Sequence, residues 1–376
     1  MQRNRMKKIT LTTAEQMLFA LLRSSLHERE AETSVFQGVT QDDWTQCRKL
    51  AVRQGVMALA WDGVMRLPKE LQPSVELYLQ WALAVEKYER KYRVYCRTIR
   101  ELSDLYASEG IVTVQLKGVG FSSNYPVPCH REGGDIDIFT YTADPQRMTD
   151  AEANHKADAL MMEQGIEVDV DRSEKHSIFY FKRIPIENHK SFLNVERFEA
   201  AVQVERLLKQ CFHPQPTDLL DGECRILTPS AAFNQLFLAF HMTQHYGAGL
   251  SLHHLCDWAI QVSRYGLHLP DELTDRRFRR AIAAFTQFCN RYLGTFVAVE
   301  GGDALVEEML GLMFRPKYGV KVPARTAVGR GIYRVRRNLY SMEISNHVLY
   351  SPYWKRMLPL VKMAICSPFH IFRKAD

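Results

Sequence analysis

The sequence of 376 residues lacks long apolar runs, paired cysteines and low-complexity segments. No stretch is long and apolar enough to cross a bilayer, so we expect no transmembrane segment. The basic N-terminus is interrupted by Glu15 and Gln16 and is not followed by a small-residue cleavage site, which argues against a signal peptide. The eight cysteines are spread along the chain without a C-x-x-C spacing. This spread is typical of reduced thiols in a cytoplasmic protein, and we expect that location.

The chain also lacks a strong excess of charge. Its 49 lysines and arginines against 43 aspartates and glutamates give a net charge of +6. Such a mild bias fits an anionic ligand such as a nucleotide, but it falls short of the bias of dedicated nucleic-acid binders. A nucleic-acid partner is therefore not favoured, although the charge does not exclude one. The length is sufficient for two or three domains with a sizeable core.

Helical and strand-like patterns divide the chain into a helical region (1–110), an α/β region (111–193) and a second helical region (194–376). The first ends in a long helical pattern that follows Pro73 and stops at Gly110. In the second we predict strands over 111–116, 135–141, 166–170 and 177–187, a helical turn at 121–124 and a helix over 144–164, with RSEK (172–175) as a hairpin turn. The predicted fold is α+β, with a small mixed β-sheet between N-terminal and C-terminal helical regions.

Two aspartates lie one residue apart on the second predicted strand. Side chains at positions i and i+2 of a strand share a face, so Asp135 and Asp137 should project together while Ile136 and Ile138 enter a core. Two adjacent carboxylates repel each other unless a positive charge lies between them, and carboxylate oxygens are the ligands that Mg²⁺ prefers. We therefore predict a metal site here. The same repulsion predicts that Asp137→Asn leaves the metal-free fold as stable as before, or more stable.

Glycines and a lysine complete this predicted site. Gly133 and Gly134 let a substrate approach the backbone without a Cβ in the way. Lys117 and Gly118 follow the preceding strand and could open a short helix whose backbone N–H groups face a phosphate. A phosphate cradle next to an acid pair is the equipment for metal-assisted phosphoryl or nucleotidyl transfer.

A D-x-D pair alone is a weak signal, because it also occurs by chance on solvated edge strands. The sequence contains a second pair, Asp169 and Asp171, which runs into the charged turn RSEKH and has no glycines upstream. We therefore expect Asp169 and Asp171 to be dispensable for nucleotide binding.

The run L-K-G…Y-P…R-x-G-G-D-I-D-I, the I-E-N-H at 186–189, and the paired histidines before L-C-D-W carry a resemblance over residues 111–262. They resemble the polymerase-β-type nucleotidyltransferase superfamily and, within it, the poorly characterised bacterial family labelled type five. The resemblance implies that Asp135 and Asp137 hold two metal ions and that Glu187, on an adjacent strand, is the third acid. Glu187 stands where the superfamily usually has aspartate, and Val119 where it usually has glycine or serine.

The resemblance also implies a reaction. A nucleoside monophosphate, with AMP from ATP expected, would pass to a hydroxyl group with the help of Mg²⁺ or Mn²⁺. The cofactor-binding residues would be Lys117, Gly118, Arg131 and Gly134, with Lys117 and Arg131 as countercharges for the phosphates. The acceptor is open: a small molecule, a peptide or a protein. Two alternatives remain, a non-catalytic nucleotide-binding or regulatory protein that retains the fold, and a phosphotransferase-like or antibiotic-modifying enzyme.

Two further groups of residues are less specific. His241 and His245 lie one helical turn apart and could share a metal with Asp257 or His253, although hydrogen bonding between helices is the favoured interpretation. Arginines between Arg325 and Arg337 could meet an acidic partner or RNA, although a solvated helix face is favoured. The basic tail (353–374) could touch a membrane surface, but packing on the C-terminal helices is favoured.

Overall fold

A computed structural model of the chain describes residues 9–170, 175–247, 249–319 and 326–355. Four helices precede the first strand, as the helical patterns predict: α1 (Thr13–His27), α2 (Gln41–Arg53), α3 (Met57–Met65) and α4 (Val75–Ser108). The long helix α4 begins after Pro73 with Ser74 as its N-cap and is followed by Gly110, which has a φ of +77°. A residue in this left-handed conformation ends a helix readily, and glycine adopts it without strain.

A mixed sheet forms the centre of the fold, in the order β3-β4-β5-β2-β1-β7-β6. Its strands are β1 (Ile111–Gln115), β2 (Ile136–Thr142), β3 (Val168–Asp169), β4 (His176–Phe181), β5 (Ile184–His189), β6 (Gln215–Leu219) and β7 (Cys224–Thr228). The central strand β2 runs antiparallel to β1 and parallel to β5. This arrangement confirms the predicted α+β class.

Helices connect and cover the strands. Between strands lie α5 (Val119–Ser122), α6 (Asp150–Glu163) and α7 (Glu199–Cys211), and after the sheet come α8 (Ala231–His245), α9 (Leu252–Tyr265), α10 (Arg276–Phe288), α11 (Asp303–Phe314) and α12 (Ala327–Ser345). No helix among the described residues is long and apolar enough to cross a membrane.

The two faces of β2 enter different cores. Ile136 and Ile138 are fully buried in a cluster with residues of α4 and α6. The opposite face carries Asp135 and Asp137 and then Phe139, which packs on the main core formed by the helices. The alternation of the strand therefore places the carboxylates between the sheet and the helices that follow it.

Three local predictions were wrong. The helix predicted from residue 144 begins at Asp150, because Thr149 and Glu152 form a capping box there. The single strand predicted over 177–187 is the hairpin β4–β5, whose turn residues Lys182 and Arg183 have positive φ. The helical pattern after residue 194 is interrupted by the hairpin β6–β7, which joins the sheet next to β1. Most of the turn predicted at RSEK lies outside the described residues.

Candidate functional site

The ends of β1 and β2 bring Lys117 to the acid pair. The two strands are antiparallel, with Gln115 opposite Ile138, and the backbone N–H of Leu116 donates to the Asp137 carbonyl at 3.0 Å. Lys117 follows directly, so its side chain meets the start of β2. Its Nζ lies 3.1 Å from Asp137 Oδ2 and 3.9 Å from Asp135 Oδ1. The lysine that the sequence assigns to phosphate also neutralises the acids.

Glu187 lies beside Asp137. The two residues are in register on the parallel strands β2 and β5, so their side chains share a face. Carboxylate oxygens of both residues lie, with a ring nitrogen of His189, within 4.8 Å of one another. Asp135 precedes β2 and is half-exposed at the mouth of this group. Asp137 and Glu187 are therefore a close pair on one face. Asp135 is not within this group of ligand atoms, and its binding of the same ion stays a prediction.

Histidines hold the buried carboxylates in place. The fully buried His189 donates from Nε2 to Asp137 Oδ1 at 3.1 Å, and this nitrogen lies 3.7 Å from Glu187 Oε2. His176 Nε2 lies 3.3 Å from the same glutamate oxygen. Asp137 Oδ2 is buried and accepts no directed hydrogen bond from any described residue, although Lys117 provides its ion pair. A buried carboxylate oxygen of this kind suits a cation.

The charges of the site shift its pKa values in different directions. Burial alone would raise the pKa of Asp137, but the Lys117 charge and the hydrogen bond from His189 hold it well below its usual range. Burial and the neighbouring Asp137 charge raise the pKa of Asp135. For Lys117, burial opposes the charge, but Asp137 and Asp135 outweigh it and raise the pKa. Lys117 and Asp137 are therefore both charged at neutral pH.

This pairing corrects one expectation from the sequence. Asp137 does not face an uncompensated like charge, because Lys117 and His189 already balance it. Removing the Asp137 charge should therefore cost stability rather than add it.

Arg131 is buried and paired, not a loop arginine in water. Its Nε and Nη2 donate to the two carboxylate oxygens of Asp257 at 3.0 and 2.6 Å, and Nη1 donates to the Glu132 carbonyl at 3.2 Å. Tyr125 also donates to Asp257, at 2.6 Å. A two-pronged arginine–carboxylate pair fixes geometry as well as charge. It ties the loop before the acids to helix α9, and its role toward phosphate stays a prediction.

The same loop is held from the other side by His130. Its ring nitrogens lie 2.8 Å from Asp62 of α3 and 3.2 Å from Glu89 of α4. Burial opposes the charge on this ring, but hydrogen bonds with Asp62 and Cys129 outweigh burial and raise the pKa of His130 to about 10. The protonated imidazole therefore belongs to the folded state at neutral pH.

This pKa predicts a pH dependence of stability. Because His130 has a higher pKa in the folded state than in the unfolded state, its protonation stabilises the fold. This contribution is complete below pH about 6.5 and is lost as the pH rises toward 10. Across that window the free energy of unfolding of the parent should fall by up to about 1.4 kcal/mol per pH unit more than that of His130→Gln. Urea unfolding measures both. His213→Gln, at an exposed histidine, should follow the parent. Parallel curves for parent and His130→Gln would contradict the prediction.

A cavity of about 220 Å³ lies in front of the acids. Lys117, Gly118, Asp135 and Asp137 line it, as do Arg131, Gly134 and residues of α8 and α9. Gly118 has a φ of +64°, a conformation that other residues rarely adopt, and it precedes the four-residue helix α5. A Cβ on Gly134 would meet nothing within 4 Å. All the residues predicted as cofactor-binding thus line one cavity.

Three histidines, His241, His245 and His254, line this cavity and form its histidine wall. Nitrogens of His241, His245 and His254 lie within 4.8 Å of one another. The third residue that could bind a metal with His241 and His245 is therefore His254. Asp257 is instead bonded to Arg131. His253 lines the cavity but is outside this group.

The rival acid pair is elsewhere. Asp169 is exposed on the edge strand β3, two strands from Glu187. Asp171, Arg325 and most of the basic tail lie outside the described residues. The other predicted arginines, Arg330 to Arg337, lie on α12, where Arg336 is exposed.

The supporting residues were not predicted from the sequence. His189 belongs to the I-E-N-H motif, but no role was predicted for it, for His176 or for His254. His189 follows Glu187 by two residues on β5, so same-face projection could have placed it beside the acids. The contact from His176 depends on the pairing of β4 with β5. That pairing could not be predicted, because the sequence predicted a single strand over 177–187.

Comparison with known families identifies a matching family model. The model of a family described as uncharacterised nucleotidyltransferase matches residues 40–294. The match includes the cavity, the acids and the histidine wall. No curated protein and no solved structure matches the chain.

Proposed function

We propose that this chain, which belongs to the family of uncharacterised nucleotidyltransferases, transfers a nucleoside monophosphate from a nucleoside triphosphate to a hydroxyl group of an acceptor. ATP is the expected nucleotide, and Mg²⁺, with Mn²⁺ as a substitute, is the expected ion. Asp135, Asp137 and Glu187 would bind the ion.

The observation that carries the proposal is the state of Asp137. Its carboxylate is completely buried and ionised, held by His189 through one oxygen and paired with Lys117 at 3.1 Å through the other. Burying a charge is costly unless a cation compensates it, a task that Lys117 performs here and that a bound divalent ion would take over when Lys117 turns to the phosphates. Asp135 and Asp137 share Lys117, and Glu187 lies in register beside Asp137. Such oxygen ligands suit a hard divalent ion.

Each residue then has a task. A bound divalent ion would lower the pKa of an acceptor hydroxyl and balance the charge of the leaving pyrophosphate. His189 holds Asp137 in one orientation. Lys117 can turn from the acids toward the phosphates, since a lysine side chain is flexible and carries its charge at one point. Arg131 keeps the loop before the acids in place through Asp257.

The small size of this cavity indicates that it holds only part of a substrate. At about 220 Å³ it is smaller than the roughly 300–1,000 Å³ of most ligand pockets. It suits a triphosphate and the reacting oxygen. A second cavity, of about 630 Å³, is lined by Phe139 and Tyr141 of β2 together with His189 and Phe212. We assign to this cavity the part of a substrate that the smaller one cannot hold.

The experiment that tests the proposal compares the two ends of the triphosphate. The full chain is incubated with Mg²⁺, cell extract as an acceptor pool, and ATP labelled at either the α- or the γ-phosphate. Label from the α-phosphate should appear on a new product, because nucleotidyl transfer keeps that phosphate. Transfer from the γ-phosphate alone would instead mean a phosphotransferase. Magnesium-dependent nucleotide binding without any transfer would favour the non-catalytic alternative.

A further inference from the structure

We propose that His241, His245 and His254 bind a transition-metal ion, with Zn²⁺ the best match, at a site separate from the acid pair. The three imidazoles supply three ligands, and the fourth position of the ion would open into the cavity in front of Asp135 and Asp137. Three protein ligands with one open position is the usual form of a zinc site that binds a further molecule. The inference stands on these three side chains and does not depend on the proposed nucleotidyl transfer.

Two helices place the rings together. His241 and His245 are four residues apart on α8, so their side chains lie on one face of that helix. His254 is in the first turn of α9, which packs on α8. The ring centroids of His245 and His254 are 4.7 Å apart, and those of His241 and His245 are 4.5 Å apart. Three rings from two packed helices thus meet at one point.

The distances fit an ion after a small movement. The candidate nitrogens lie within 4.8 Å of one another. Zinc–nitrogen bonds of roughly 2.0–2.1 Å in a tetrahedron would bring the nitrogens to about 3.3 Å apart. The required closure, about 1.5 Å at most, is within the reach of side-chain rotation on fixed helices.

The nitrogens of two rings are not used otherwise. Neither His241 nor His245 makes a ring hydrogen bond to any residue that the structure describes, although both rings are half-buried. Burial and the nearby Lys117 charge lower the pKa of His245 to about 4, and burial also lowers the pKa of His241 and His254 well below the usual range. Neutral imidazole is the form that binds metal. At neutral pH an ion would therefore not compete with protons.

His254 needs one rearrangement. Its Nδ1 accepts from the backbone N–H of Ser251 at 3.2 Å and lies 3.0 Å from Ser251 Oγ. Binding of metal through Nε2 places the ring proton on Nδ1, where Ser251 Oγ can accept it. The backbone contact is then given up. Such an outer hydrogen bond is what usually orients a metal-binding histidine.

The ligand type separates this site from the acids. Imidazole nitrogens select zinc and its neighbours in the transition series, whereas carboxylate oxygens suit Mg²⁺. The acid pair and the three histidines line the same cavity. An ion on the histidine wall could therefore bind an oxygen or nitrogen atom of whatever molecule enters this cavity.

The test uses the full chain, purified without a histidine tag and treated with a chelator. Zn²⁺ is added, loosely bound metal is removed by dialysis, and bound zinc is counted by mass spectrometry. We expect one zinc ion per chain. Co²⁺ in its place should give the strong visible absorption of a four-coordinate ion. A parent protein that retains no zinc, or a Co²⁺ spectrum of a six-coordinate oxygen site, would overturn the proposal without any variant.

Variants then locate the ion. His241→Gln, His245→Gln and His254→Gln should each weaken zinc binding by more than the roughly 10–100-fold seen on loss of an outer-shell partner. His253→Gln, at a neighbour that lines the same cavity, should bind zinc as the parent does. Asp137→Asn should also retain it. Loss of zinc in Asp137→Asn, with retention in His245→Gln, would assign the ion to Asp137, Glu187 and His189 instead and would refute the histidine site.

Discussion

Asp137→Asn is expected to lower the rate of nucleotidyl transfer by roughly a hundredfold or more, the scale of losing one main electrostatic contact in a transition state. The substitution keeps the size of the side chain and removes its charge. Asp137 is completely buried, in register with Glu187 and bonded to His189. The rate is measured with the labelled acceptor assay.

Thermal melting adds a second measurement to this prediction. Mg²⁺ and nucleotide together should raise the melting temperature of the parent, because any ligand bound by the native state alone stabilises it by mass action. Asp137→Asn should lose that shift. It should also be less stable than the parent by about 1–3 kcal/mol without ligands, since Lys117 and His189 lose a charged partner.

Asp169→Asn is the matched control for Asp137→Asn. It makes the same chemical change at an exposed residue of the edge strand β3. It should keep the rate and the ligand shift of the parent. If Asp137→Asn keeps both the activity and the shift, the pair of Asp135 and Asp137 is not the metal site. If Asp169→Asn loses them, the second acid pair has been misjudged.

Arg131→Met should cost about 3–5 kcal/mol of the free energy of unfolding, the usual loss when one partner of a buried ion pair is removed. Only 5% of each side chain in the pair of Arg131 and Asp257 is exposed. Methionine fills a similar volume but leaves the buried Asp257 charged and without its arginine partner. Tyr125 would remain as its donor, which is too little for an isolated buried carboxylate. Urea unfolding measures the loss.

Arg147→Met provides the comparison for Arg131→Met. Arg147 pairs with Asp144 at 3.3 Å, but 86% of its side chain is exposed. Exposed pairs contribute about 0–1 kcal/mol, so this variant should match the parent closely. Equal losses in the two variants would mean that burial of the pair of Arg131 and Asp257 has no energetic effect.

The elements that sequence predicted well are those with strong local signals. The long helix α4 has apolar periodicity, a proline before it and Gly110 after it. In strand β2 and just before it, the isoleucines Ile136 and Ile138 alternate with Asp135 and Asp137. The hairpin β6–β7 was missed although an Asp221-Gly222 turn separates its strands, because the surrounding segments have a strong helical period. The helical period and the turn residues there favour different structures, and pairing with the sheet stabilises the strands.

In the candidate site, too, only features with a local sequence signal could be predicted. Spacing along β2 was enough to predict that Asp135 and Asp137 share a face, and resemblance was enough to nominate Glu187. The partners of Arg131 and His130 come from α9, α3 and α4, far away in the chain. No local pattern records such pairs, because they arise from the packing of helices against the sheet.

The position of β7 has a consequence for synthesis of the chain. Strand β1 receives one neighbour, β2, early, and its other neighbour, β7, only after residue 228 has been made. Until then one edge of β1 presents unpaired backbone groups, which can pair with strands of other chains. The nascent protein therefore carries an open sheet edge while more than 80 residues after β2 are translated. A fragment that stops at residue 193 would keep that edge permanently, and we expect it to aggregate.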